Sequence, residues 1–161
     1  MGTRSMIAIQ NPYSKDVRAV YCHWDGYLEH NGAILQKHYA ASSKVNNLIA
    51  LGDISSLRPE IGEKHAFSRL ETPMDDEAYD KLYGNMTTFY TRDRGEDTPF
   101  KVFPTLAKAC DYYTWSDYFY CFKYSKADDY QSGEWHYKKA GERWKKLAPA
   151  IKKLNPAECA E

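Results

Sequence analysis

The chain has 161 residues, enough for one domain that buries about two thirds of its unfolded surface. Its 22 Lys+Arg balance 22 Asp+Glu, so there is no overall field to recruit nucleic acid or an anionic membrane. Fourteen tyrosines stand against ten leucines, and tyrosine, with apolar area and a polar tip, suits strands, half-buried faces and contact surfaces.

Ser5-Met-Ile-Ala-Ile-Gln10 is short, β-branched and apolar, Asn11–Asp16 is turn-like, and Val17–His23 alternates, so the first segments read as a β-hairpin. Ala33–Tyr39 reads as a helix with Ile34, Leu35 and His38 on one face. Ser42 or Ser43 caps a second helix over 44–51, with Val45, Leu48 and Ile49 inward and Gly52 at its C′ position. Asp53–Pro59 reads as a loop, and Glu60 to about Pro73 as irregular. Met74–Tyr83 reads as a short acidic helix with a solvated face, Met86–Thr91 as a strand, and Arg92–Asp97 as a charged loop. Pro104, at a first helical position, opens a helix over 105–113. Asp117–Tyr124 is the strongest strand pattern. Gly133–Lys138 is its partner, across a loop containing Asp128 and Asp129. The tail, 142–154, carries Trp144, Leu147, Ala148, Ile151 and Leu154 on one stripe, with Lys and Arg opposite and Pro149 kinking or splitting it. The order β-β-α-α-β-α-β-β-α predicts a single α+β domain over 1–161, with helices on a mainly antiparallel sheet and a basic amphipathic helical tail at about 140–155.

No apolar run approaches a membrane span. Cys22, Cys110, Cys121 and Cys159 show neither CxxC nor finger spacing. Without a secretory signal they read as free, mostly buried thiols in a soluble cytoplasmic protein. No cofactor is expected.

The segment Val20-Tyr-Cys-His-Trp-Asp-Gly-Tyr-Leu-Glu-His-Asn-Gly32 concentrates two histidines, two carboxylates, three aromatics and two glycines between a strand and a helix. Folds place contact groups at such junctions. In a strand, Tyr21 and His23 share one face, Cys22 and Trp24 the other. His23 could be a general base oriented by Asp25 or by a distant carboxylate. His23, Glu29 and His30 match no local metal-ligand spacing, so no metal site is predicted. An ordinary turn at Asp25-Gly26, with Trp24 in the core and His23 on backbone, accounts for the same residues. Arg92-Asp-Arg94-Gly-Glu96 offers an anion clamp, since guanidinium groups hold phosphate bidentately, or a loop neutralised by its own Asp93, Glu96 and Asp97. Arg58, after the Ser55-Ser56 pair, could donate to a polar ligand, although turn chemistry explains that segment too. Lys138, Lys139, Arg143, Lys145, Lys146, Lys152 and Lys153 are opposed only by Glu134 and Glu142, which makes a solvated face or a polyanion contact.

Gly2-Thr-Arg-Ser5, Val20-Tyr-Cys-His-Trp-Asp-Gly-Tyr27, His30-Asn-Gly32, His38-Tyr39, Leu51-Gly-Asp-Ile-Ser-Ser-Leu57 and Thr88-Phe-Tyr-Thr-Arg-Asp-Arg-Gly-Glu96 together resemble a family of small uncharacterised accessory proteins of tailed bacteriophages. The resemblance covers roughly the first hundred residues. It implies a protein made in the host bacterial cytoplasm, with no catalytic residues to carry over.

The expectation that follows is a non-enzymatic binder acting in host takeover or counter-defence. It inhibits a host bacterial protein or sequesters a small anionic ligand such as a nucleotide. Tyr21, His23, Trp24, Asp25, Tyr27, His30, Arg58, Arg92 and Arg94 are the candidate contacts. Two alternatives stand beside it. One is a phosphodiester hydrolase or nuclease using His23 and Asp25 with Arg92 or Arg94. The other is a nucleic-acid binder acting through the basic tail.

Overall fold

The computed structural model describes residues 2–126 and 129–154. Residue 128 of the predicted loop and Cys159 lie outside them. The protein is α+β, built on an eight-stranded, mostly antiparallel sheet. Its strands are β1 (Ser5–Gln10), β2 (Val17–Cys22), β3 (Ile54–Ser56), β4 (Thr88–Phe89), β5 (Lys101–Phe103), β6 (Tyr118–Lys126), β7 (Asp129–Lys139) and β8 (Lys145–Lys146). The helices are α1 (Ala33–His38), α2 (Ser42–Ala50), α3 (Asp76–Tyr83), α4 (Tyr90–Arg94), α5 (Leu106–Tyr112) and α6 (Leu147–Leu154).

Both predicted strand pairs are present, β1 antiparallel to β2 and β6 antiparallel to β7. β1 also pairs parallel to β6, which joins the two hairpins into the order β4-β3-β2-β1-β6-β7-β8. The period-2 alternation of β1, β2 and β6 gives the sheet two apolar faces. One face carries Ile7, Ile9, Val20, Cys22, Tyr120 and Phe122, covered by Leu35, Val45, Leu48, Ile49, Leu147 and Ile151 of α1, α2 and α6. The other carries Met6, Ala8, Val17, Ala19, Phe119 and Cys121, covered by Leu106 and Ala109 of α5 and by Tyr113.

The far edge of β2 is divided between two strands. β5 pairs antiparallel with its first half, from Val17↔Phe103 to Ala19↔Lys101, whereas β3 pairs parallel with its end at Cys22↔Ile54. Continuing the β5 register places Pro99 opposite Tyr21. Proline cannot continue a ladder as a donor. Between the two strands the Asp53 carboxylate fills the gap, with Oδ1 accepting from the Tyr21 N–H at 2.9 Å.

Several elements differ from the sequence expectation. β3 lies where a loop was predicted, and β5 and β8 have no counterpart in the predicted order. β4 is only two residues long, and the chain turns directly into α4, so Arg92 and Arg94 are helical and Gly95 ends the helix at φ +77. Pro104 precedes the helix rather than opening it. Thr105 is the N-cap of α5, its side chain accepting from the Lys108 N–H. α2 begins at Ser42 itself, after Ala41, without a side-chain cap. A π-type turn over Leu28–Gly32 leads into α1.

The tail helix is also shorter than 140–155. It begins at Leu147, so Pro149 falls in the first turn, where a missing N–H breaks no helical bond. Trp144 precedes the helix and packs against the opposite face of the sheet, with Lys123 and Lys138 at 5.9 and 5.8 Å from its ring.

Candidate functional site

The loop after β2 is fixed from three sides. Gly26 N donates to Thr3 O at 2.7 Å, the buried Tyr120 hydroxyl donates to Gly26 O at 2.6 Å, and Asn31 N donates to Asp25 O at 3.2 Å. Asp25 takes φ +57, a conformation Asp tolerates better than most residues. The buried Asn31 amide then ties Ser5 Oγ, Cys22 Sγ and Trp24 O together. This segment is therefore a held scaffold.

Tyr21 and His23 point to the same side, as strand alternation predicts, and the Tyr21 hydroxyl is hydrogen-bonded to His23 Nδ1. Burial pushes the Tyr21 hydroxyl up to about 12, so it keeps its proton at neutral pH. His23 is held below its ordinary 6.5 by burial first, with the Arg4 charge adding to the effect. A folded-state pKa below the unfolded one gives stability that is complete above about pH 6.5 and lost as the pH falls through the folded value. In an NMR titration, the His23 C2–H midpoint is expected below 6.5 and should move up in Arg4→Ala; a wild-type midpoint at or above 6.5 would contradict this environment.

Asp25 does not orient His23. Its carboxylate faces Tyr27, whose hydroxyl it pushes up by its charge. Trp24 leaves the sheet because β2 ends at Cys22, and it is 44% exposed rather than core. His30 donates from Nδ1 to Asn31 Oδ1 at 3.0 Å and lies 3.1 Å from Arg58 Nη1 through Nε2. Arginine only donates, so Nε2 is the acceptor. Arg58 and Trp24 do meet, in a groove of about 350 Å³ that Ser55, Ser56, Phe67 and Met86 also line.

Arg92 and Arg94 are brought to neither histidine. The Arg92 guanidinium donates to the carbonyls of Ile61, Gly62 and Thr87 and to both Asp93 oxygens. Arg94 pairs with Glu96 at 2.8 Å and lies over the Phe67 ring at 4.8 Å. The buried thiols are equally committed, Cys22 pushed up to about 11 and Cys121 to about 12 by burial. Among the described residues, no three His, Cys, Asp or Glu side chains are grouped to hold a metal ion.

The groups that do converge lie beside Tyr21. A cleft of about 380 Å³ is lined by Arg4, Tyr21, Asp53, Lys101, Tyr112, Tyr113 and Trp115. Arg4 directly precedes β1, Asp53 directly precedes β3 and fills the gap beside β2, Lys101 comes from β5, Tyr112 ends α5, and Tyr113 and Trp115 follow it. Tyr21 and Trp115 meet edge-to-face at 4.6 Å, and Tyr113 packs edge-to-face between Tyr112 at 4.9 Å and Trp115 at 5.6 Å. Burial raises the Asp53 carboxyl, while the Tyr21 N–H and the Lys101 charge oppose that rise. Burial also drives Tyr113 far above the usual phenol range, with Asp53 adding to it. The Tyr113 hydroxyl, in a residue only 2% exposed, has no hydrogen-bond partner.

Sequence reasoning placed only Tyr21 in this cleft. Tyr112-Tyr113-Thr-Trp115, at the end of a helix, was the available signal for one wall; Arg4, Asp53 and Lys101 give no local pattern. No helix among the described residues is long and apolar enough to cross a membrane. No protein-family model, curated protein or solved structure matches the chain.

Proposed function

We propose that the protein is a non-enzymatic binder that holds a small anionic ligand with a planar ring, of the nucleotide class, in the Arg4–Lys101 cleft. The observation that carries this is the combination of two cations, neither in an ion pair among the described residues, with aromatic walls and a buried hydroxyl without a partner there. Trp115 and Tyr112 are 45% and 51% exposed and supply rings for stacking, with Lys101 Nζ 5.6 Å over the Tyr112 ring. Arg4 and Lys101 supply charge for a phosphate, and Asp53 removes only part of it. Perturbed Tyr21, Asp53 and Tyr113 line the cleft, and His23 is hydrogen-bonded to Tyr21 beside it, as titratable groups gather at working sites.

The proposed setting, host takeover or counter-defence in a phage-infected bacterium, rests on the motif resemblance of the first hundred residues. Sequestration suits that setting because it needs binding without turnover. The hydrolase alternative draws no such support, since His23, Asp25, Arg92 and Arg94 have separate partners.

Calorimetric titration with the four ribonucleoside 5′-monophosphates, the matching nucleosides and inorganic phosphate tests the reading. At least one monophosphate should bind tenfold or more tighter than its nucleoside, a difference of about 1.4 kcal/mol. Arg4→Ala with Lys101→Ala should remove that advantage, whereas Lys145→Ala with Lys146→Ala should leave it. No binding at millimolar concentration, or conversion of the ligand to product, would overturn the proposal.

A further inference from the structure

We infer that the floor of the cleft reads a hydrogen-bonding ring edge: Asp53 Oδ2 accepts from a ligand N–H, and the Tyr113 hydroxyl donates to the acceptor beside it. The ligand is then a nucleotide whose base presents a ring N–H next to a carbonyl. This rests on the reading of the cleft as an anion site and narrows it from charge and shape to a specific edge.

Asp53 cannot turn away from the cleft. Its N–H donates to Thr98 O at 3.0 Å, its carbonyl accepts from Tyr90 N at 3.2 Å, and Oδ1 is held by the Tyr21 N–H. One carboxylate oxygen thus completes the sheet edge, and the second is left over in a residue that lines the cleft. A carboxylate is acceptor-only, so what it selects is a donor.

Tyr113 is fixed as firmly. Its ring packs edge-to-face against Phe103, Tyr112 and Trp115, at 5.9, 4.9 and 5.6 Å. Its hydroxyl feels the Asp53 charge, yet no hydrogen bond joins the two. Buried polar groups are nearly always satisfied, so a rigid, buried hydroxyl without a partner in a residue that lines the cleft calls for a partner from outside. A donor and an acceptor in residues that line the same cleft are the complements of the N–H and C=O edge of guanine or uracil.

The test uses guanosine and uridine 5′-monophosphates on the wild-type protein, each against its analogue methylated at the ring nitrogen (N1 of guanine, N3 of uracil). The tighter parent should exceed its methylated analogue by at least tenfold. Asp53→Asn keeps an oxygen for the Tyr21 N–H but turns the free position into a donor, so it should weaken the parent tenfold or more and erase the methyl penalty. Tyr113→Phe should weaken the parent about tenfold without lowering thermal stability, because the hydroxyl it deletes bonds nothing in the free protein. Methylated and parent nucleotides binding equally would overturn the edge reading while leaving the anion cleft intact. Failure of every nucleotide to bind would overturn both.

Discussion

Asp93→Asn is expected to destabilise the protein by about 3–5 kcal/mol, the range for removing one partner of a buried charge pair. The Asp93 side chain has no exposed surface, and all its neighbours are donors. It accepts from His65 N at 3.1 Å, Phe89 N at 2.8 Å and Arg92 Nε and Nη2 at 3.0 and 3.2 Å. An asparagine there keeps one acceptor and turns an NH₂ toward donors, leaving buried N–H groups unmet and Arg92 without its counter-charge. The loss spreads because Asp93 sits where three pieces meet: the end of β4, the start of α4, and the stretch around His65 that has little secondary structure of its own. His65 is held there by Glu63 O and Thr88 Oγ1, at 2.8 and 3.2 Å from its ring nitrogens, and by stacking on Tyr83. Urea unfolding reads the change. Combining Asp93→Asn with Arg92→Gln should cost less than the sum of the two, because each single change orphans the other partner. A single-mutant loss below about 1 kcal/mol, the scale of an ordinary surface substitution, would show that this pair does not anchor the segment.

That cluster also shows where reading the sequence stops. The run Thr91-Arg-Asp-Arg-Gly-Glu96 displays charge and a glycine, which fit a ligand clamp and a neutralised loop equally well. What decides between them is that Arg92 reaches carbonyls at 61 and 62, thirty positions earlier, and no local pattern encodes that. The β1–β2 hairpin, α2 with Gly52 behind it, and the β6–β7 pair were legible, because alternation, helical spacing and a C′ glycine are local signals. β3, β5 and β8 were not. Each has two or three residues and exists only through its partner. The candidate site inherits this limit. Tyr21 and His23 stood out as an aromatic and histidine pair at a strand end, and the structure does place them on one face. Arg4, Asp53, Lys101 and Tyr113 join Tyr21 only because β5 leaves β2 after Ala19 and β3 takes over at Cys22. The gap between them is a matter of register, and register between distant strands is set by the whole core.

Gly52→Ala is the change expected to damage fold and cleft together, by on the order of 4 kcal/mol from two sources. Gly52 has φ +87, where a Cβ costs about 1–2 kcal/mol. A Cβ at Gly52 would also lie 2.3 Å from Thr98 O, a backbone atom that cannot swing aside. That same oxygen accepts the Asp53 N–H, so relieving the clash pulls Asp53 off its anchor and with it the acceptor for Tyr21 N–H; an unmet buried donor adds about 1–3 kcal/mol. Gly141→Ala separates the two contributions. Gly141 has φ +83 but nothing within 4 Å of a Cβ, so it should show the conformational cost alone, about 1–2 kcal/mol. Urea unfolding of both variants gives the difference, and amide exchange at Tyr21 should rise in Gly52→Ala only. Nucleotide affinity in Gly52→Ala should fall with it, under conditions where the variant is still folded, because Asp53 reaches the cleft only from this turn. Equal losses in the two glycine variants would mean that Thr98 yields easily, and the rigid placement of Asp53 on which the edge reading depends would go with it.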